Sequence, residues 1–254
     1  MTHVVVKLTA LLVLAVPVLA RGDVLGDLRA TLQGLQSDQT LRARVEIKTW
    51  RSSGESGNPK QATGDSSLIV ESGGHGLRMS WSAEQIQQSR QAAAEKRAHP
   101  DAPRSDVATL TVLEADAALD LLDAAEPLRR TLEGAALLEN NRDTYKGNPA
   151  RLLVIRLDLR LEEEGRKALK ESDAILKLWL DSIGQPIGMD RDLRLRFSKY
   201  FISYRVHDEE VREFQIAGGR LVVTRSQRDN SGSGLGHSEE SHTTTKVMLL
   251  PPGE

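Results

Sequence analysis

Between Asp173 and Arg225 apolar and polar residues alternate with period two, run after run, with short polar turns between the runs. In Ala174–Asp181, Leu176, Leu178 and Leu180 fall on one face and Lys177, Trp179 and Asp181 on the other. Beyond Asp181-Ser182-Ile183-Gly184-Gln185-Pro186 the pattern resumes, with Met189, Leu193, Leu195 and Phe197 opposite Asp190, Asp192, Arg194 and Arg196. A third run sets Tyr200, Ile202, Tyr204 and Val206 against Lys199, Ser203 and Arg205. His207–Glu210 reads as a turn into Val211–Ala217, where Phe214 and Ile216 alternate with Glu213 and Gln215. Ala217-Gly218-Gly219-Arg220 turns the chain again, into Leu221–Arg225. Half-buried antiparallel strands carry this pattern, and turns this short make neighbours in sequence neighbours in space. The stretch therefore predicts a meander.

The rest of the chain supplies more strands and one helical block. Asp23–Gln36 predicts a first helix, with Val24, Leu25, Leu28, Leu32 and Leu35 on its apolar stripe. Leu41–Trp50 alternates as a strand, and Arg51–Asp65, rich in Ser, Gly and Asn, reads as a hairpin tip or mobile loop. Ser67–Glu71 and Leu77–Trp81 are short strands around a glycine turn. Ser82 and Gln85 have the spacing of a capping box, and the helix they start runs to about Ala98 with Ile86 as its one large apolar residue. Leu113–Ala125 and the segment after Pro127 are amphipathic, so about 82–141 reads as a helical insertion between strands. Arg151–Leu161 predicts another strand, and Glu162–Ser172 a charged loop. About 226–241 reads as a flexible polar loop, and His242–Leu250 as the closing strand.

Residues 1–20 read as a signal peptide: His3 and Lys7 precede an apolar run from Leu8 to Leu19, and Val18-Leu19-Ala20 offers small residues for cleavage. That run is short for a membrane span, so no integral membrane segment is expected after processing. Residues 21–254 are expected to form a single domain. The chain contains no cysteine, which excludes a disulfide framework, thiol catalysis and a lipid-acceptor thiol, and fits a bacterial periplasm. Removing residues 1–20 takes one lysine and no acid from a formal charge of -2. No electrostatic case for nucleic acid survives that balance.

Chemistry is harder to find. No serine sits in a Gly-x-Ser-x-Gly turn, His207 lies beside Asp208 in the expected turn, and His237 and His242 flank the expected loop without a third ligand. Asp116, Asp120 and Asp123 share a helix face, which reads as solvated. No nucleotide, flavin or haem motif occurs, so no cofactor, no metal and no enzymatic activity are expected. The second face of the sheet is not uniformly polar: Trp50, Leu152, Val154, Ile175, Trp179, Val222 and Val223 add apolar side chains. Helices over a strongly curved sheet could enclose a pocket for an acyl chain, or plug an ordinary core. Both readings stand at this point. The ligand-facing candidates are Leu176, Leu178, Leu180, Leu193, Leu195, Phe197, Tyr200, Ile202, Tyr204 and Phe214.

The element order, with Ile175-Leu-Lys-Leu-Trp-Leu-Asp-Ser-Ile-Gly-Gln-Pro186 as its closest local match, resembles the lipoprotein-carrier superfamily of LolA/LolB-like half barrels. The resemblance implies an α+β fold: a strongly curved antiparallel β-sheet, an unclosed half barrel, with the helical insertion as lid or plug over a hydrophobic cavity. It implies a periplasmic protein that binds an acyl chain, lipid or acylated lipoprotein, or else an envelope protein partner. Aromatics make up only 4% of the chain, whereas carrier cavities tend to be aromatic-lined. The family's lid-closing arginine matches Arg42 or Arg44, and the sequence does not choose between them.

Overall fold

The computed structural model describes residues 23–55, 59–99, 113–199 and 202–251. The expected signal peptide and Tyr200 lie outside them. Helix α1 (Val24–Gln33) leads into β1 (Leu41–Glu55), β2 (Lys60–Gly73) and β3 (Gly76–Trp81). Three helices follow: α2 (Ala83–Ala98), α3 (Ala115–Leu122) and α4 (Ala125–Thr131). Then come β4 (Ala136–Tyr145), β5 (Asn148–Arg156), the short α5 (Glu163–Ala168) and β6 (Leu169–Leu180). The chain ends with β7 (Pro186–Lys199), β8 (Ile202–Ala217), β9 (Arg220–Gly234) and β10 (His237–Leu250). All ten strands form one open sheet in the order β3-β2-β1-β10-β9-β8-β7-β6-β5-β4. The predicted α+β class and curved, unclosed sheet are what is found.

This order makes one connection unlike the others. Antiparallel neighbours need only hairpins, but β3 and β4 are the two edges of the sheet. The segment between them must cross a face, and it carries α2, α3 and α4. α3 packs on β9, β2 and β3, while α1 packs on α4. Their stripes fill that face: Leu32, Leu122 and Leu132 are fully buried, together with Val45, Val70, Leu153, Ile155, Leu176 and Leu178. Burying a leucine contributes about 1.5–3 kcal/mol, so this helix–sheet core dominates the fold's stability. Two arginines tie the layer down. Arg29 Nη2 donates to the Leu132 carbonyl at 3.1 Å, and Arg220, 3% exposed, donates to the Ser37 and Gln39 carbonyls at 2.5 and 2.7 Å.

Several expectations need correction. Strand β1 continues to Glu55 and β2 begins at Lys60, where a loop over Arg51–Asp65 was expected. His207–Glu210 is not a turn: β8 runs unbroken from Ile202 to Ala217. The expected flexible loop over 226–241 is the paired end of β9 and β10, joined by Leu235-Gly236. The helical insertion stops at Thr131, and Ala136–Tyr145 is a strand. β5 ends at Arg156, short of the predicted Leu161, and a helical turn replaces the loop at Glu163–Ala168. The misread stretches within β1, β2, β4, β8, β9 and β10 are mostly polar on both faces, so period two leaves little apolar trace there and pairing with neighbours decides. The Asp181 turn is as predicted: its Oδ1 accepts from Ile183 N at 3.0 Å and Gln185 N at 2.9 Å. Ser82 Oγ caps α2 by accepting from Gln85 N at 3.1 Å, while the Gln85 amide turns to Ser66 on β2.

Candidate functional site

Residues paired across a ladder project from the same side, so pairing assigns each side chain to a face. Leu176 belongs to the helix-covered core. Its row continues through Arg191, Glu210, Arg228, Thr243 and Thr49. The next row outward runs Ala174, Leu193, Asp208, Asn230, Ser241 and Arg51, and the one after it Ser172, Leu195, Val206, Gly232, Glu239 and Ser53. Along the strands the helix-side face therefore changes from leucine to ion pairs to a mixed floor.

The ion pairs form a layer at the edge of the helices. Asp208 and Glu210 are each 3% exposed. Arg191 Nη2 lies 2.6 Å from Asp208 Oδ2 and 3.1 Å from Glu210 Oε2, bridging the two acids. Arg228 Nε donates to Asp208 Oδ1 at 2.6 Å, and Arg212 holds Glu210 Oε1 through Nη2 at 2.6 Å. Burial pushes the Asp208 carboxyl up, but the Arg228 hydrogen bond and the Arg191 and Arg228 charges outweigh it and hold it below the usual range. Asp120 on α3, facing Arg212 and Arg130, goes the other way: desolvation raises it despite both guanidiniums. Buried carboxylates are tolerated only when paired in this way.

Beyond this layer the sheet encloses an open trough of about 810 Å³. Leu195 and Val206 form its apolar floor beside Ser172 and Gly232, and Ser52 and Pro59 of the β1–β2 hairpin close the far side. Glu171, Asp173, Arg194, Arg196, Arg205, Glu239 and Glu240 add charge of both signs around it, and His207 borders it as well. Tyr204 lies across Gly232 and Gly234, where a Cβ would collide with its ring and hydroxyl, and donates to Glu239 Oε1 at 2.7 Å. Glycine is required there by that close approach rather than by a turn.

The candidate ligand-facing residues divide between these zones. Leu176, Leu178, Leu180 and Phe214 are buried in the core, with Leu176 and Leu178 fully enclosed. Leu193, Leu195 and Phe197 are half-buried, and Ile202 and Tyr204 are exposed. Of these, Leu195 lines the trough directly. Arg42 and Arg44 pair with Leu250 and Met248, in the rows between those of the buried Leu41, Ala43 and Val45, so both point away from the helices. The outer face holds two small aromatic groups. Trp179 packs on Tyr145 with centroids 5.3 Å apart and donates to Asp143 Oδ2 at 2.8 Å, and Trp50 lies 5.7 Å from the His242 ring. Sequence reasoning missed the ion layer because Asp208 and Glu210 look like turn residues until three arginines from other positions meet them.

Fold and site together define an open, curved antiparallel half barrel, with helices packed over the leucine rows and a trough beside the row of Leu195 and Val206. No protein-family model and no curated protein matches the chain. Among solved structures, the chain is similar to the crystal structure of MucB in complex with MucA(peri). The match covers 90% of this chain and 99% of that one, at 9% sequence identity and a TM-score of 0.19, which does not place the chain in a family.

Proposed function

We propose that this chain is a non-enzymatic protein of the bacterial envelope that holds a segment of a partner polypeptide in its trough. The observation that carries this reading is the ion layer. Asp208, Glu210 and their arginines stand between the leucine core and the trough. A hydrocarbon chain in the trough would end against charge rather than run on into the core. A polypeptide segment, with apolar and charged side chains in turn, matches a floor of Leu195 and Val206 flanked by Glu171, Arg205, Glu239 and Glu240. The signal peptide expected at residues 1–20 supports an envelope location. Among the described residues no helix is long and apolar enough to cross a membrane.

A second reading puts an acyl chain of a lipid or lipidated protein in the same trough. Its support is size, because about 810 Å³ lies within the 300–1,000 Å³ typical of small-ligand sites. One experiment separates the two. Peptides selected from a random displayed library on the processed protein are tested by fluorescence anisotropy beside a fluorescent fatty acid. The expected outcome is peptide binding that Leu195→Glu weakens by roughly 10-fold or more, about 1.4 kcal/mol, with the unfolding transition retained. Stoichiometric fatty-acid binding lost in Leu195→Glu, with no peptide selected, would overturn the peptide reading in favour of the acyl chain.

A further inference from the structure

By strand pairing, Asp192, His207 and Glu209 share the face opposite the helices, and His207 and Arg194 of this cluster also border the trough. We propose that Asp192, His207 and Glu209 form a binding site for a divalent transition-metal cation of the zinc type. Asp192 and Glu209 pair directly across β7 and β8, and His207 is two residues from Glu209 on the same face of β8. His207 Nε2 lies 3.1 Å from Asp192 Oδ1 and 3.0 Å from Glu209 Oε1, and the three ligand atoms fall within 4.8 Å of one another. A tetrahedral centre with bonds of about 2.0–2.1 Å spaces its ligand atoms about 3.3 Å apart. The paired strands thus hold the His207 nitrogen close to that spacing from each carboxylate, with all three ligand atoms within 4.8 Å.

A second observation points to a bound cation rather than to an ordinary ion pair. The same His207 Nε2 faces two carboxylate oxygens and also the Nε of Arg194, which approaches to 3.4 Å. A protonated Nε2 serves one carboxylate well, leaves the other short of a donor, and opposes the Arg194 N–H. An unprotonated Nε2 turns its lone pair on two anions. A metal ion resolves the conflict, because the lone pair and both carboxylates then point at one positive centre. Arg194 keeps a role in that state: its Nη2 donates to Asp192 Oδ2 at 2.6 Å, orienting the carboxylate from behind.

The surroundings agree in charge and in space. Glu209 also pairs directly with Asp229 on β9, so three carboxylates stand side by side across three strands. Like charges in that position destabilise a sheet. An adjoining concavity of about 530 Å³ is lined by Asp190, Asp192, Glu209 and Asp229 with Lys177. Lys177 lines it beside the four acids, Arg194 holds Asp192, and the His242 ring contacts Asp229. The concavity leaves room for a water as fourth ligand. A nitrogen donor among the ligands favours zinc, nickel or cobalt over magnesium and calcium, which select oxygen.

Calorimetric titration of the untagged, chelator-treated protein with Zn²⁺ near neutral pH tests this. One equivalent should bind, magnesium at the same concentration should not, and zinc should raise the unfolding temperature. His207→Ala should weaken binding by roughly 10-fold or more, and Asp192→Asn should do the same while keeping the metal-free unfolding transition. His75→Ala and His237→Ala, distant from the cluster, should leave the affinity unchanged. The proposal is overturned if wild type shows neither zinc heat nor a thermal shift, or if His207→Ala binds zinc as wild type does.

Discussion

Asp208 is buried where a sequence reader places a solvent-exposed turn, and its environment explains why it is tolerated. Arg191 and Arg228 each reach one of its oxygens at 2.6 Å, and Asn230 reaches it at 3.4 Å. Removing Asp208 takes from Arg228 its hydrogen-bonded carboxylate and leaves Arg191 on Glu210 alone, and breaking a buried pair in this way costs about 3–5 kcal/mol. Asp208→Ala should therefore lose about that much stability in urea unfolding at neutral pH, and a loss below about 1 kcal/mol would show that the layer holds nothing together. The pH dependence has a definite sign. The folded carboxyl of Asp208 is held below the ~3.9 of an unfolded aspartate, so its contribution is complete above about pH 4 and is lost as pH falls through the folded value. Burial raises Asp120 and Asp123 instead, so their ionisation costs stability once pH rises through their folded values. The gap between wild type and Asp208→Ala should accordingly narrow on acidification, and a constant gap would count against the assignment.

At the scale of elements, three hairpins turn on two residues that both have positive φ: Lys146-Gly147, Gly218-Gly219 and Leu235-Gly236. Two left-handed residues in succession make the turn whose twist suits antiparallel strands. Gly218-Gly219 announces itself, and the sequence reading places that turn correctly. Leu235 does not. It is 73% exposed at φ 55, a conformation that disfavours branched side chains, and it hides the turn inside a polar stretch. Leu235→Asn should stabilise the protein by about 0.5–1 kcal/mol in equilibrium unfolding, since asparagine tolerates this region and no buried contact is lost. A destabilised variant would mean the leucine side chain contributes packing after all. β4 was hidden for another reason. As an edge strand it exposes Glu139, Asn140, Asn141, Arg142 and Asp143, charge and polarity that discourage pairing with other chains and also erase the alternation.

The whole molecule depends on a pairing of its two ends. β1 and β10 run side by side from Arg42 opposite Leu250 to Glu55 opposite His237, as the third and fourth strands of the sheet. Without β10, β3-β2-β1 would part from the remaining strands, and the helices would cover a divided face. Truncation after Gly236 should abolish cooperative thermal unfolding and expose apolar surface to a hydrophobic dye. A truncated chain with one sharp transition near the wild-type temperature would refute this account. The same topology divides the concave face. Among the described residues of the connection from β3 to β4, α3 and α4 place their buried leucines over the leucine rows of the sheet.

The amino-acid sequence by itself determined the class of fold, the antiparallel pairing of β6 with β7 and of β8 with β9 through their short turns, and the alternation that sets the faces of Leu176, Leu178, Leu195 and Phe214. Those follow from local periodicity and turn chemistry, which act over a few residues. Only the tertiary structure decided that Leu176 and Leu178 lie under a helical plug while Leu195 floors a trough. It alone decided that His207–Glu210 is strand, because acids that would otherwise demand water meet Arg191, Arg212 and Arg228 there. Compensation of charge is set by distance in space, and period-two patterning carries no record of it.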